Sequence, residues 1–400
     1  MRNIIFYSPH DLPYSHISRN FDFARRFSRR GHAVTVIANN FSHRDKVDIV
    51  PRGRKFFECS MVDGVNVVWL NTKEYDGNGI GRAINAIGYL VLALRYSAKF
   101  VEKADYCIGD SVPSTAGLVA WFVSMLKKSR FIYQVRDVWP IALVYDGALK
   151  KSSLTYFVLR ILEVFLYRKS SKIVSTVPLL APHLLSSRVS PEKLVYIPNG
   201  VDLDVIKFSP RDERFSGPIN VTYAGGFGNA HDPLSIIHAA KILGEAGRSL
   251  RFDFYGEGIK LRSCIDLASA LSLDNVFFHK SVSKADLSRV LSMSDILIAA
   301  VTDSDAYQFG LNLNKLYDYL AAGRPVVLAA RSKHRVVEDA ECGYMVPPES
   351  PEKLSEAILT ICDLGPGRRI AMGANGRKFA ETNYDINQLA VEFERAAFAN

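Results

Sequence analysis

Short, continuously apolar runs separated by amphipathic stretches recur along almost the whole chain, and no other feature limits its folding so tightly. In the first half they fall at Asn3–Tyr7, Ala33–Ala38, Val65–Leu70, Tyr106–Gly109, Arg130–Val135 and Lys172–Val177. A second series runs through Leu194–Pro198, Ile219–Ala224, Arg251–Tyr255, Val276–His279, Asp295–Ala300, Pro325–Ala329 and Gly343–Val346. These runs are rich in Val, Ile, Phe and Tyr and do not alternate with polar residues, the pattern of strands buried on both faces of a parallel sheet. Helical stretches lie between them, among them Phe21–Arg30, Tyr156–Tyr167, Leu234–Gly244, Lys284–Met293 and Pro351–Cys362. Repeated strand–helix alternation predicts a doubly wound α/β architecture.

The alternation starts twice, and 400 residues exceed what one compact core usually holds. Turn chemistry at Asn199-Gly200 and the loop-like segment from Phe208 to Pro218 place the change of domain near 200–215. A first domain is expected over residues 1–190 and a second over 191–400. Two open α/β sheets place a ligand in the cleft between them, outside the carboxyl ends of the strands.

Charge separates the halves. Residues 1–200 carry 28 basic and 15 acidic side chains, net +13, whereas residues 201–400 carry 22 and 26, net −4. The first half is therefore expected to meet something anionic. No helix-turn-helix, zinc-finger or RNA-binding signature accompanies that charge, so nucleic acid is not expected. The cysteines (Cys59, Cys107, Cys264, Cys342, Cys362) are odd in number and scattered, which points away from a disulfide framework or structural zinc. No apolar run reaches the roughly 20 residues that span a bilayer, and the start of the chain lacks a signal-peptide pattern, so a cytoplasmic location is expected.

The stretch from Tyr307 to Val327 carries the most chemistry. A helix is predicted to begin near Asn314 at the carboxyl end of a strand, so its free N–H groups and positive dipole end can receive phosphate. Lys315 falls in the first turn, where a cation opposes the dipole unless an anion offsets it. Asp318 lies on the same face, one turn deeper. That arrangement suits a nucleoside diphosphate whose ribose needs an acceptor, although a solvated surface helix fits the spacing as well. Tyr223-Ala-Gly-Gly-Phe-Gly-Asn229 reads as a strand entering a Gly-rich loop, where Gly225, Gly226 and Gly228 let amides approach a pyrophosphate.

The segment Asn314-Lys-Leu-Tyr-Asp-Tyr-Leu-Ala-Ala-Gly-Arg-Pro-Val-Val327 resembles the donor-binding signature of family 4 retaining glycosyltransferases, two-domain enzymes of the GT-B fold. Its wording is similar to a subgroup that makes bacterial surface polysaccharides. Arg30-Gly-His-Ala-Val-Thr-Val36, Ile197-Pro-Asn-Gly-Val-Asp202 and Tyr255-Gly-Glu-Gly258 resemble further landmarks, in order, over nearly the whole chain. The resemblance implies two Rossmann-like domains, with the last helix, Asn387–Phe398, packing back on the first. It also implies a nucleotide-sugar donor and no metal or other cofactor. Asp318 matches the family's second acid, which binds the ribose; the first falls on Gly310. Glu257 joins the donor-binding set with Asn314 and Lys315. Many relatives set an Arg and a Lys after the strand that precedes the Gly-rich loop. Here Gly226 stands at the Arg position and Asn229–Asp232 offers no Lys, so Lys315 is expected to supply that charge.

On the acceptor side, Asp137 in Tyr133-Gln-Val-Arg-Asp-Val-Trp-Pro140 follows a strand and could orient or deprotonate an acceptor hydroxyl, with Arg136 keeping it ionised. An N-cap or a plain Arg–Asp pair would use the same residues. His16 is a second candidate base, and Arg19, at the start of the first long helix, a candidate for an acceptor phosphate. Asp110 and Ser111 are expected to line the site. Leu149–Lys169 and the run Tyr89–Leu94 ending at Arg95 are apolar, aromatic and edged with basic residues, which suits an anionic membrane surface as well as a domain core. The expected acceptor is a glycan on a polyprenyl diphosphate, with the enzyme peripherally attached to the inner face of the plasma membrane. A nucleotide-sugar 2-epimerase and a non-catalytic nucleotide-sugar-binding subunit remain as alternatives.

Overall fold

A computed structural model describes the chain apart from residues 11–12, 14–17, 43–45, 54, 77–79, 146, 210–216 and 399–400. It divides into two compact units, Met1–Pro198 with Asn387–Asn400, and Asn199–Ile386.

The first unit runs β1 (Asn3–Tyr7), α1 (Arg19–Arg29), β2 (Ala33–Asn39), β3 (Phe57–Val62), β4 (Val65–Leu70), α2 (Ile80–Phe100), β5 (Tyr106–Asp110) and α3 (Ser114–Lys127). It continues through β6 (Arg130–Val135), α4 (Ile141–Tyr145), α5 (Leu154–Lys169), β7 (Lys172–Ser175), α6 (Ala181–Ser186) and β8 (Leu194–Tyr196). The strands form one sheet in the order β3-β4-β2-β1-β5-β6-β7-β8. Every pair is parallel except β3 with β4. Ile4, Phe6, Tyr7, Val36, Ile108 and Ile132 are almost wholly buried, as strands covered on both faces require.

Two expectations change here. The edge strand β3 has an interrupted apolar pattern because it is only half-covered, so no continuous run announces it. The sequence places the segment at Leu194 in the second series, but β8 pairs with β7 in the register Ile173↔Leu194. The first unit therefore runs to Pro198 rather than ending at 190. An apolar run reports that a strand is buried, not which sheet it completes.

The second unit runs β9 (Ile219–Ala224), α7 (Pro233–Glu245), β10 (Leu250–Tyr255), α8 (Leu261–Ala270), β11 (Val276–His279), α9 (Lys284–Met293) and β12 (Ile296–Ala300). It continues through α10 (Asn314–Ala322), β13 (Val326–Ala329), α11 (Val336–Asp339), β14 (Gly343–Val346), α12 (Pro351–Asp363) and α13 (Pro366–Asn383). Its sheet is wholly parallel, in the order β11-β10-β9-β12-β13-β14. Local chemistry fixes the helix starts: Asp232 caps α7 with Pro233 behind it, and Ser283 caps α9.

The last helix, α14 (Ile386–Ala397), lies almost entirely in the first unit. Phe393 packs at 5.5 Å from both Phe23 and Phe27, and Phe398 stacks at 4.3 Å on Tyr106. The expected fold class, two doubly wound α/β domains, is the one observed. In each sheet the strand order reverses once, between β1 and β5 and between β9 and β12, and ligands of open α/β sheets bind at such points.

Candidate functional site

Beyond the switch point of the second unit, β9 ends at Ala224 and α10 begins at Asn314. Tyr319 ties them together: its hydroxyl accepts from the Ala224 amide at 2.8 Å and lies 3.3 Å from the Ile298 carbonyl. That anchor presents the first turn of α10 to the Gly-rich loop. No side chain caps α10; the Leu316 amide turns back to the Leu313 carbonyl at 2.9 Å, and the amides of Asn314 and Lys315 ahead of it are left to solvent or a ligand.

Lys315 projects from this turn against the loop. Its ammonium donates to the Tyr223 hydroxyl at 2.9 Å and lies 4.1 Å above the Tyr223 ring. Among the described residues it forms no ion pair with a carboxylate. Desolvation at this deep position pushes the ammonium down to about 7. Burial also holds the Tyr223 phenol well above its ordinary range, so Tyr223 stays protonated and donates to the Gly226 carbonyl at 2.6 Å. A Cβ on Gly225 would sit 2.5 Å from both Cε and Nζ of Lys315. The absent side chain at Gly225 is what lets the ammonium lie along the loop. A Cβ on Gly226 would make only an ordinary contact, 3.9 Å from the Glu257 carbonyl, and Gly228 faces open space, so no contact demands glycine at either.

A second cation braces the same loop. Lys260, at the start of α8, donates to the carbonyls of Asn229 at 3.0 Å and His231 at 2.7 Å. Burial first, then the charges of Lys315 and Lys260, pushes His231 down to about 3. The loop thus lies in a positive field, and among the described residues no carboxylate forms an ion pair with Lys315. Nothing in the sequence around Lys260 marks it for this role.

The remaining donor candidates have mixed surroundings. Asn314 accepts from Asn199 Nδ2 at 2.6 Å, which draws the helix start to the Asn199-Gly200 turn. Glu257 is exposed and accepts from the Ser281 hydroxyl at 2.9 Å. Asp318, expected as a ribose acceptor, is 7% exposed and holds the Lys284 ammonium at 2.6 Å through both oxygens. Lys284 was not singled out from the sequence; it follows an ordinary Ser283 cap, and only folding sets it against a helix that starts thirty residues later. Gly310 stands where the resemblance places an acid. Its φ of 100° at the end of the turn Asp305–Phe309 is a conformation that a glutamate would hold only under strain.

In the first unit, the switch point between β1 and β5 is filled by a buried polar group. Asp110 accepts from Ser8 Oγ at 2.7 Å, Asn20 Nδ2 at 3.0 Å and Gln134 Nε2 at 3.0 Å, and pairs with Arg136 at 3.4 Å. Arg136, expected beside Asp137, also reaches back to Asp110. Asp137 itself is exposed just past β6, its carbonyl accepting from Ser111 Oγ at 3.2 Å and the Trp139 amide at 2.9 Å. Arg19, expected at an acceptor phosphate, is only 3% exposed. It donates to the carbonyls of Pro198 and, at 2.7 Å, Ile197, and its guanidinium lies 4.6 Å over Phe23. Its first helical turn is packed inward, so it ties the end of the first unit's chain to α1. His16 lies outside the described residues. Among the described residues no group of three or more His, Cys, Asp and Glu side chains is placed to hold a metal ion.

Two protein-family models match the chain, one described as glycosyl transferase 4-like domain over residues 19–200 and one as glycosyl transferases group 1 over residues 218–363. The chain is 25% identical over 308 residues to "Probable glycosyltransferase WbjE" of Pseudomonas aeruginosa, covering 73% of this chain and 74% of that protein. Among solved structures it resembles sucrose-phosphate synthase from Thermosynechococcus elongatus, with a TM-score of 0.76 at 16% identity over 99% of this chain and 98% of the other. It also resembles HepE of Anabaena, solved in complex with UDP-glucose, with a TM-score of 0.67 at 14% identity over 99% of each chain.

Proposed function

The chain belongs to the family 4 glycosyltransferases of the GT-B fold, and we propose that it moves a hexosyl or N-acetylhexosaminyl group from a UDP-sugar to a lipid-linked oligosaccharide. The transfer retains anomeric configuration and serves surface-polysaccharide synthesis. The observation that carries the donor half is Lys315: an ammonium kept deep beside a Gly-rich loop and an uncapped helix start, with no carboxylate partner among the described residues. Such an arrangement costs folding energy and is repaid by an anion. The Gly225 and Phe227 amides already donate to the Tyr255 and Glu257 carbonyls, so the amides of Gly226 and Gly228, the start of α10 and Lys315 are the groups that can share a diphosphate's negative charge as the glycosidic bond breaks. UDP is favoured because the structurally similar HepE was solved with UDP-glucose.

In this reading Asp318, paired with Lys284, turns its remaining lone pairs to the ribose. Asp137, exposed past β6, orients the acceptor hydroxyl, with His16 as the other candidate base. Lys315, the helix amides and Lys260 supply the positive charge that a divalent cation would otherwise bring, so activity is expected to survive chelation. The surplus of basic residues in the first half suits a polyprenyl-diphosphate acceptor at an anionic membrane. No helix of the described residues is long and apolar enough to cross that membrane.

The test is a thermal-shift series with UDP, ADP, GDP and UDP-sugars on the wild type and Lys315→Met. UDP and its sugars should stabilise the wild type, and the shift should largely vanish in the variant. Equal stabilisation of both proteins would remove Lys315 from the donor site. Transfer of labelled sugar into a lipid extract then reports the acceptor class.

A further inference from the structure

The three helices α2, α3 and α5 lie side by side in the first unit, α3 between the other two. Each carries a second apolar stripe that faces away from the core. On α2 it comprises Ile84, Ile87 and Val91, on α3 Phe122, Met125 and Leu126, and on α5 Leu154, Phe157, Val158 and Ile161, spaced three or four residues apart. Leu154 is 78% exposed and Ile161 71%. A helix that is apolar all round belongs in a core or against a lipid phase. α1 shows the contrast: its apolar residues are buried and its outer face is polar.

We propose that this three-helix layer is the surface by which the protein lies on an anionic phospholipid bilayer, with the stripes sunk among the acyl chains and the basic residues at the headgroups. The proposal rests on the lipid-linked acceptor read above but not on the donor assignment. Charge identifies the occupant. α2 and α3 contain no Asp or Glu, and the one acid of α5, Glu163, is buried and paired with Arg160 and His183. Exposed cations edge the layer instead, at Arg95, Lys99, Lys128, Lys151, Arg168 and Lys169. An open groove of about 610 Å³ runs along α5, its floor Ile161, Val164 and Phe165 and its rim Arg160, Arg168 and Lys169. That pairing of apolar floor and cationic rim suits an acyl chain with an anionic head. A second copy of the chain would bring cations against cations.

The orientation has a consequence for the acceptor. α3 packs on β5 and β6, whose ends carry Asp110 and Asp137. With the layer on the bilayer, those strand ends stand about one helix diameter, ~10 Å, above the headgroups. A sugar on a membrane-held diphosphate reaches that height.

The full chain should sediment with phosphatidylglycerol–phosphatidylcholine vesicles and much less with phosphatidylcholine alone, and high salt should weaken the binding. Ile87→Glu with Leu154→Glu and Ile161→Glu, all at exposed positions, should lower partitioning by about tenfold or more. Its unfolding midpoint and its stabilisation by UDP should not change. Wild type that ignores phosphatidylglycerol, or a triple variant that sediments like wild type, overturns the proposal. So does a concentration-dependent dimer that the same substitutions dissociate, since the face would then join two copies. Vesicle binding without any UDP stabilisation would instead refute the donor reading alone.

Discussion

Asp110 and Lys315 both stand at the switch point of a parallel sheet, yet they are surrounded in opposite ways. Asp110 is saturated: three neutral donors and one guanidinium converge on it. Lys315 has a phenol and a ring, and no carboxylate among the described residues. A saturated buried charge holds a scaffold in register, because all its capacity is used within the fold. A deep charge left without its opposite reserves capacity for something that arrives later. Two arginines of the first unit side with Asp110 in this respect: Arg19 is absorbed by backbone carbonyls and Arg136 by Asp110 itself.

The contrast would break most visibly at Asp110. Asp110→Ala removes the buried carboxylate shared by Arg136 and three side-chain donors and should cost about 3–5 kcal/mol in urea unfolding of the first unit. UDP affinity should be untouched; a parallel loss of UDP binding would mean that the two sites are not separable. Lys315→Met should behave the other way round. UDP affinity should fall about 30- to 100-fold by calorimetry, about 2–3 kcal/mol, while stability holds or rises. A variant that unfolds more easily but binds UDP as before would make Lys315 a scaffold residue.

Acidity sharpens the same point. Lys315 is depressed in the fold to about 7 from 10.5, so below about 7 it is charged in both folded and unfolded states. Between about 7 and 10.5 the unfolded chain holds more proton at this site, so its contribution to stability should rise with pH. A diphosphate favours the ammonium, so UDP affinity should weaken over that range, and both trends should be absent in Lys315→Met. A flat affinity profile from pH 7 to pH 9 in the wild type would contradict the ion pair. The smallest effect is expected at Gly225→Ala, whose Cβ displaces the flexible end of Lys315 rather than backbone. Stability should change by less than about 1 kcal/mol and UDP affinity by a few-fold. An unaltered affinity would show that the ammonium need not lie along the loop.

Much of the architecture was legible because burial on both faces of a parallel strand forces an unbroken apolar run. Runs at Asn3, Val65, Ile219 and Val276 are strands over the expected residues. β3 escaped because an edge strand is under no such constraint, and β8 was assigned to the wrong series because its residues say nothing about their neighbour. The helix start at Asn314 with Lys315 in its first turn was legible too, since it follows from residue type and position along one element. Gly310 departs from the family acid for a reason visible only as a backbone angle.

What the sequence determined by itself was most of the buried strands, the family and the local chemistry of several loops, all properties of residues close in the chain. What tertiary structure decided was who meets whom. Lys284 reaches Asp318, Lys260 braces a loop thirty residues earlier, Arg136 turns to Asp110, and three separate helices line up their outward stripes. The physical reason is range. Periodicity and capping are settled within a turn or two of chain, whereas a charge finds its partner only after the sheet has fixed which strand ends lie together.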